Sequence, residues 1–189
     1  MSSVRIIELS FDLGQILNDV LVKCNQISLS IKEDALADIR ASVMAPDSPE
    51  TRSIINRSVT EAFGGVKKAC QRYLKSGRSI DNNMLEQMVS SVTFKKDGQG
   101  NDTDEIDTIN YETVTLELHI PNFNVSVTDD LKSNIHKYVV DYVMGRFLQD
   151  LHSEKAGEYA ALADGTDYGK IISDLNARES FNVRKPSWI

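Results

Sequence analysis

The chain has 189 residues, which suits one domain with an appendage and is short for two full domains. Hydrophobic residues make up 41% and charged residues 26%, the composition of a globular protein with a core. The net charge of −7 argues against nucleic acid as the main partner, because phosphate contacts need clustered lysine and arginine.

The first half of the sequence predicts helices. Apolar residues recur at three- and four-residue steps over residues 13–24, and again after a Ser-x-x-Glu capping box at residues 30–33. A further amphipathic helix begins near Pro49, whose missing N–H costs nothing in a first turn. The glycines at 64–65 interrupt its stripe, either as a tolerated weak point or as a close contact with another backbone. We assign residues 1–88 to an N-terminal helical part.

From residue 89 the pattern changes to extended structure. The segment TVTLELHI (residues 113–120) alternates apolar and polar residues with the period of two that is typical of a strand. The polar run DGQGNDTDEID (residues 97–107) is predicted to form a turn or loop. We therefore predict a hairpin-like β element over residues 89–127 with a long acidic loop.

The last third of the chain again predicts helices. Residues 128–178 contain an aromatic-rich helix, a short alanine-rich helix and a final helix, and the tail at 179–189 has no period. The expected fold class is α+β, a mostly helical bundle with an inserted antiparallel β-hairpin element, and one domain overall. The expected core residues are Leu17, Val20, Leu21, Ile55, Val59, Phe63, Val66, Val139, Tyr142, Val143 and Phe147.

Acidic residues are concentrated in one part of the sequence. Residues 97–130 contain nine aspartates and glutamates and no lysine or arginine. This segment is either a solvated loop and strand face or an acidic surface that meets a basic partner. The candidate residues for such a surface are Asp97, Asp102, Asp104, Glu105 and Asp107.

Sequence motifs for catalysis or for cofactor binding are missing. The three histidines are isolated, and there is no phosphate-binding loop or nucleophile elbow. Residues 97–108 alternate like a calcium loop, but Asp102 stands where such a loop needs glycine and Thr108 where it needs the closing glutamate. We expect no enzyme, no cofactor and no metal site. Cys24 and Cys70 lie in apolar helical rows and are expected to be buried thiols of a protein kept in a reducing cytoplasm.

The chain also lacks the sequence signals of a membrane protein. No apolar run approaches the roughly 20 residues that span a bilayer, and the N-terminus lacks the pattern of a signal peptide. We expect no membrane association.

One resemblance goes further than these patterns. From residue 138 an aromatic-rich helix carries a Gly-Arg-Phe step at 145–147, a short helix carries Glu-Tyr at 158–159, and Asn-Ala-Arg at 176–178 precedes Lys-Pro at 185–186. This pattern resembles the C-terminal region of small neck proteins of tailed bacteriophages. It covers about the last quarter of the chain.

The resemblance implies a virion structural protein. Such a protein is a subunit of a ring in the head-to-tail connector (the neck, or tail-completion ring) and acts by protein–protein assembly around the DNA channel. Its partners would be further copies of itself and other virion proteins such as portal or tail subunits, with no specific nucleic-acid binding. It would be made in the host cytoplasm and reside in the virion, where the acidic segment would line the channel.

The expected interaction residues come from the predicted hairpin and from the apolar tail, which either folds back on its own core or docks into a neighbouring subunit. They are Leu116, Leu118, Ile120, Phe181, Trp188 and Ile189. The alternative function is a cytoplasmic acidic adaptor or inhibitor-type protein that binds a basic partner. A small enzyme would require polar groups that converge in a pocket.

Overall fold

The computed structural model describes residues 4–30, 49–74, 89–96, 102–111 and 113–178. The predicted α+β fold, mostly helical with an antiparallel β-hairpin, is confirmed. In chain order the elements are β1 (Val4–Asp12), α1 (Leu13–Ser30), α2 (Pro49–Cys70), β2 (Val89–Lys96), β3 (Asp102–Tyr111), β4 (Thr113–Pro121), α3 (Thr128–Phe147), α4 (Ser153–Ala161) and α5 (Tyr168–Leu175). A 3₁₀ turn (Val125–Val127) precedes α3, and a π-helical segment (Leu162–Asp167) joins α4 to α5.

Helix α3 is the centre of the fold. The other four helices all pack against it. Its buried residues surround the helix rather than forming one stripe, which is typical of a helix enclosed by its neighbours. They are Leu131, Ile135, Tyr138, Val139, Val140, Asp141, Val143, Met144, Gly145 and Phe147.

The N-terminal segment is a strand, so the helical assignment of residues 1–88 is wrong for Val4–Asp12. Strand β1 pairs antiparallel with β4, in a register that runs from Val4 opposite Pro121 to Asp12 opposite Thr113. The segment VRIIELSFD alternates as a strand should, with Ile7, Leu9 and Phe11 on its buried side. Strand β4 forms as predicted, but its hydrogen-bonded neighbour comes from the other end of the sequence.

A hairpin does lie within residues 89–127, but it is built from β2 and β3, which pair antiparallel with register shifts, and it does not include the predicted strand at 113–120. The loop predicted for residues 97–107 is wrong from Asp102 onwards, because β3 begins there. Aspartate disfavours strands, but the ladder of backbone hydrogen bonds to β2 overrides that local preference.

The expected core residues divide into two groups. Eight of them are buried, while Leu17, Leu21 and Tyr142 are only partly buried. The inner face of the β1–β4 sheet, which includes Phe11 and Leu118, completes the same hydrophobic core. Among the described helices, none is long and apolar enough to cross a membrane.

The two central glycines of α2 have different surroundings. A Cβ added at Gly64 would meet nothing within 4 Å, whereas a Cβ at Gly65 would lie 2.3 Å from the Tyr138 hydroxyl oxygen. One of the two alternatives predicted for these glycines was a close contact with another backbone. A close contact is made at Gly65, but its partner is the Tyr138 side chain of α3.

We expect the two glycine-to-alanine substitutions to change the free energy of unfolding in opposite directions. Gly64→Ala should raise the free energy of unfolding by about 0.5–1 kcal/mol, because alanine loses less backbone entropy in a helix. Gly65→Ala should lower it, because the new methyl group displaces the buried Tyr138 ring. Urea unfolding followed by circular dichroism measures both changes.

A second substitution serves as the control for this mechanism. Introducing Gly65→Ala into a Tyr138→Phe background, where the clashing oxygen is gone, should cost less than in the wild type. Equal costs in the two backgrounds would contradict the assigned contact.

Candidate functional site

The residues of β4 predicted to make assembly contacts belong to the core, so this prediction is corrected. The exposed fractions of Leu116, Leu118 and Ile120 are 1%, 0% and 0%. The reason is the unpredicted strand β1, which pairs with β4 and completes a sheet whose apolar face packs on the chain's own helices. These three side chains are not available to a partner in this fold.

The structure describes some of the other predicted site residues but not all of them. Asp102, Asp104, Glu105 and Asp107 all lie in β3, which collects them on one strand. Asp97 and the tail residues Phe181, Trp188 and Ile189 lie outside the described residues, and their roles stay predictions.

A buried ionic cluster, which the sequence did not reveal, lies between α1, α3 and the π-helical segment. We call Lys23, Lys137, Asp141 and Asp167 the ionic cluster. The Lys137 ammonium donates to Asp167 Oδ1 at 2.7 Å and lies 3.5 Å from Asp141 Oδ2, while Lys23 donates to Asp141 Oδ1. Both aspartates are 0% exposed, so each lysine supplies the countercharge that a buried carboxylate requires.

The two carboxyl groups also interact with each other. Neither Asp141 Oδ2 nor Asp167 Oδ2 receives a hydrogen bond from any donor of the described chain. Burial raises the pKa of Asp167, the Lys137 ammonium opposes this, and a hydrogen bond with Asp141 raises the pKa further. Two ionised carboxylates offer only acceptors, so a hydrogen bond between them requires a proton on one of the two.

The lysines of the cluster are held from more than one side. The pKa of Lys137 is raised, first by its hydrogen bond to Asp167. The Lys23 ammonium lies 5.1 Å from the centre of the Tyr159 ring, so a cation–π contact adds α4 to the group. Asp167 is the last residue of the π-helical segment, a type of distortion that occurs frequently at functional sites.

A groove of about 560 Å³ runs between α3 and α4. Its floor consists of small residues, and a Cβ at Gly145 would lie 3.2 Å from the backbone nitrogen of Ala160, so the two helices approach closely. Arg146, Gln149 and Asp164 are among the polar residues that line it.

Basic residues lie along one side of α2 and just beyond its end. Arg57 and Lys68 are on the same side of α2, Arg72 lies in the turn that follows the helix, and Arg146 of α3 is near Arg57; we call these four residues the basic face. Glu61 lies between two of them, 3.1 Å from Arg57 Nε and 3.5 Å from an Arg146 nitrogen. The Arg146 guanidinium lies 5.5 Å from the centre of the Tyr142 ring.

Both cysteines of the chain are buried free thiols. Burial raises the pKa of both Cys24 and Cys70 to about 12, so these thiols stay neutral at physiological pH. Within the described ranges, no group of three or more histidine, cysteine, aspartate or glutamate side chains is arranged to hold a metal ion.

The sequence contained one usable signal for the ionic cluster. Asp141 follows Val139 and Val140 and precedes Tyr142 and Val143, so it is a charge inside an apolar helical segment. Such a residue needs a buried partner. Nothing comparable marks Asp167, because its burial depends on the π-helical turn that precedes it.

No family model, curated protein or solved structure matches the chain.

We expect Lys137→Met to destabilise the fold. The loss should be about 2–3 kcal/mol, at the lower end of the values for a broken buried ion pair, because the Lys137 side chain is 45% exposed. Chemical unfolding at pH 7 measures it. Lys170→Met, which removes an exposed lysine from α5, is the control, and an equal loss there would contradict a role for the cluster.

The protonation of Asp167 predicts a specific pH dependence. Burial raises the folded pKa of Asp167 above its ordinary value, so the folded chain binds this proton more tightly than the unfolded chain does. The resulting stabilisation is complete below about pH 4 and is lost as the pH rises through the folded pKa.

The measurement compares wild type with Asp167→Asn by urea unfolding from pH 3.5 to pH 8. The difference in free energy of unfolding should shift in favour of the variant as the pH rises, because asparagine does not titrate. A difference that does not change with pH would show that Asp167 has an ordinary pKa.

Proposed function

We propose that this protein is a subunit of a ring in the head-to-tail connector of a tailed phage, and that it acts by protein–protein assembly around the DNA channel. The observation that carries the proposal is the β2–β3 hairpin. It is a two-stranded sheet to which no other described strand adds. Isolated two-stranded hairpins are marginally stable in water, and they gain stability when another layer covers them.

The register of the hairpin supports an assembly role. Val89 pairs with Tyr111, Val92 with Ile109 and Phe94 with Ile106, so apolar residues stand opposite apolar residues. Residues directly opposite in an antiparallel pair share a face of the sheet. Among the described elements, the hairpin contacts the helical body mainly through α1, and we infer that its apolar cross-strand pairs meet another subunit.

The residues that carry the resemblance have structural roles in the helical body. Gly145 allows α3 and α4 to approach, Arg146 stacks on Tyr142 at the surface, and Phe147 is buried. Arg178 donates to the Tyr73 hydroxyl at 2.9 Å, which fixes the end of α5 beside the end of α2. The pattern is therefore one of packing positions, as expected of a protein whose function is assembly.

The acidic strand β3 favours a second candidate function, an acidic adaptor that neutralises a basic partner. The four acidic residues of β3 would then contact that partner rather than another copy. Such a protein would be a monomer on its own, so the number of subunits separates the two functions.

We expect the purified protein to assemble in a concentration-dependent way and the hairpin to be required. The test is light scattering of the wild type and of a variant in which residues 90–110 are replaced by a short Gly-Ser linker. Val89 and Tyr111 are paired, so a short linker can join them. The variant should stay folded by circular dichroism and should be a monomer at concentrations where the wild type assembles.

A second variant lacks the tail residues 181–189, because the sequence also predicts assembly contacts there. Its assembly is measured by light scattering in the same experiment. Electron microscopy of the assembled wild type should show closed rings. A wild type that stays monomeric at every concentration, alone and with a purified portal, would contradict the proposal and favour the adaptor.

A further inference from the structure

We propose that β3 of one copy binds the basic face of a second copy, so that subunits associate head to tail. This inference rests on the proposed function and specifies which two surfaces meet. Its supports are the charges of the two surfaces, the exposure of the basic face, and the positions of the two surfaces on the two sides of α3.

The basic face has more positive charge than the chain itself neutralises. The side chains of Arg57 and Arg146 are 82% and 50% exposed and share Glu61, and Asp164 lies near Arg146. Lys68 and Arg72 are exposed and form no ion pair within the described residues. The partial negative charge at a helix C-terminus accounts for lysine in the last turn of α2, but it does not account for Arg57, which lies in the first half of that helix.

The shape of this side of α2 also suits an approaching strand. Ile54 is 45% exposed and lies one turn before Arg57, so an apolar contact is available beside the charges. A Cβ at Gly64 would meet nothing within 4 Å, so the middle of the face has no side chain that would hold a partner backbone away.

The complementary charge is on β3. This strand contains Asp102, Asp104, Glu105 and Asp107 and no basic residue. Opposite charges steer two surfaces together and fix their relative register. A second copy of this chain supplies the acidic strand at the same concentration as the basic face.

The two surfaces lie on different sides of the molecule. Strand β3 contacts α1, and α1 packs on the side of α3 that presents His136, Asp141 and Met144. Helix α2 packs on the opposite side, against Tyr138 and Tyr142. Two complementary surfaces on different sides of one subunit give a heterologous contact, which generates rings when the rotation closes.

Nucleic acid is the other occupant that a basic face suggests. The overall charge of −7 opposes it, because the acidic remainder of the chain repels phosphate. We therefore favour the protein strand, and DNA binding is one outcome of the test.

The test is a charge exchange on the full chain. The face variant carries Lys68→Glu and Arg72→Glu, and the strand variant carries Asp104→Lys and Asp107→Lys. Each variant alone should need about ten-fold or more protein for half-assembly, because like charges then face each other. The chain with all four substitutions should recover assembly, and so should an equimolar mixture of the two single-surface variants.

The control variant carries Lys155→Glu and Lys170→Glu on α4 and α5, the same change in net charge as in the face variant, and should assemble as the wild type does. Circular dichroism verifies that each variant is folded. Variants that assemble like the wild type, or losses that charge exchange does not restore, would overturn the inference while assembly itself stands. Duplex DNA binding by the wild type that the face variant loses, with assembly unchanged, would assign the face to DNA and overturn it as well.

Discussion

The enclosure of α3 by four other helices is the constraint on which the rest of this structure depends. Charged residues of α3 such as Lys137 and Arg146 reach water, but Asp141 lies where the neighbouring helices cover α3, and it is fully buried. Burying that carboxylate without a partner would cost several kcal/mol. Lys23 and Lys137 supply the countercharge, and Asp167 supplies a second carboxyl group, so this one buried charge connects α3 to α1 and to the π-helical segment.

Local periodicity was sufficient to predict the helices but not the pairing of the strands. Val20, Val59 and Val143 recur at helical spacing with their apolar neighbours, and they are buried as predicted. Strand β4 was equally visible, but its partner β1 lies more than a hundred residues earlier. Strand pairing over that distance leaves no local pattern in the sequence.

The ionic cluster escaped prediction for a related reason. Lys137 and Asp141 have the spacing of an ordinary surface pair on a helix, and only burial makes the pair part of a network. The contacts to Lys23 and Asp167 depend on how α1 and the π-helical segment pack, which is a tertiary property. The sequence therefore indicated that Asp141 needed a partner, but it did not identify which residues would serve.

Helix α1 links the ionic cluster to one of the two proposed contact surfaces, because it contributes Lys23 and also contacts β3. Lys23 anchors α1 to one side of α3, and β3 contacts α1, while the basic face follows α2 and the turn after it on the other side. The angle between two surfaces of one subunit determines whether a head-to-tail contact closes into a ring or continues as a filament. In the proposed assembly, a buried ion pair that fixes α1 against α3 helps to set that angle. A polar network in the core then contributes to the shape of the assembly as well as to the stability of the subunit, because it restricts how the helices can pack.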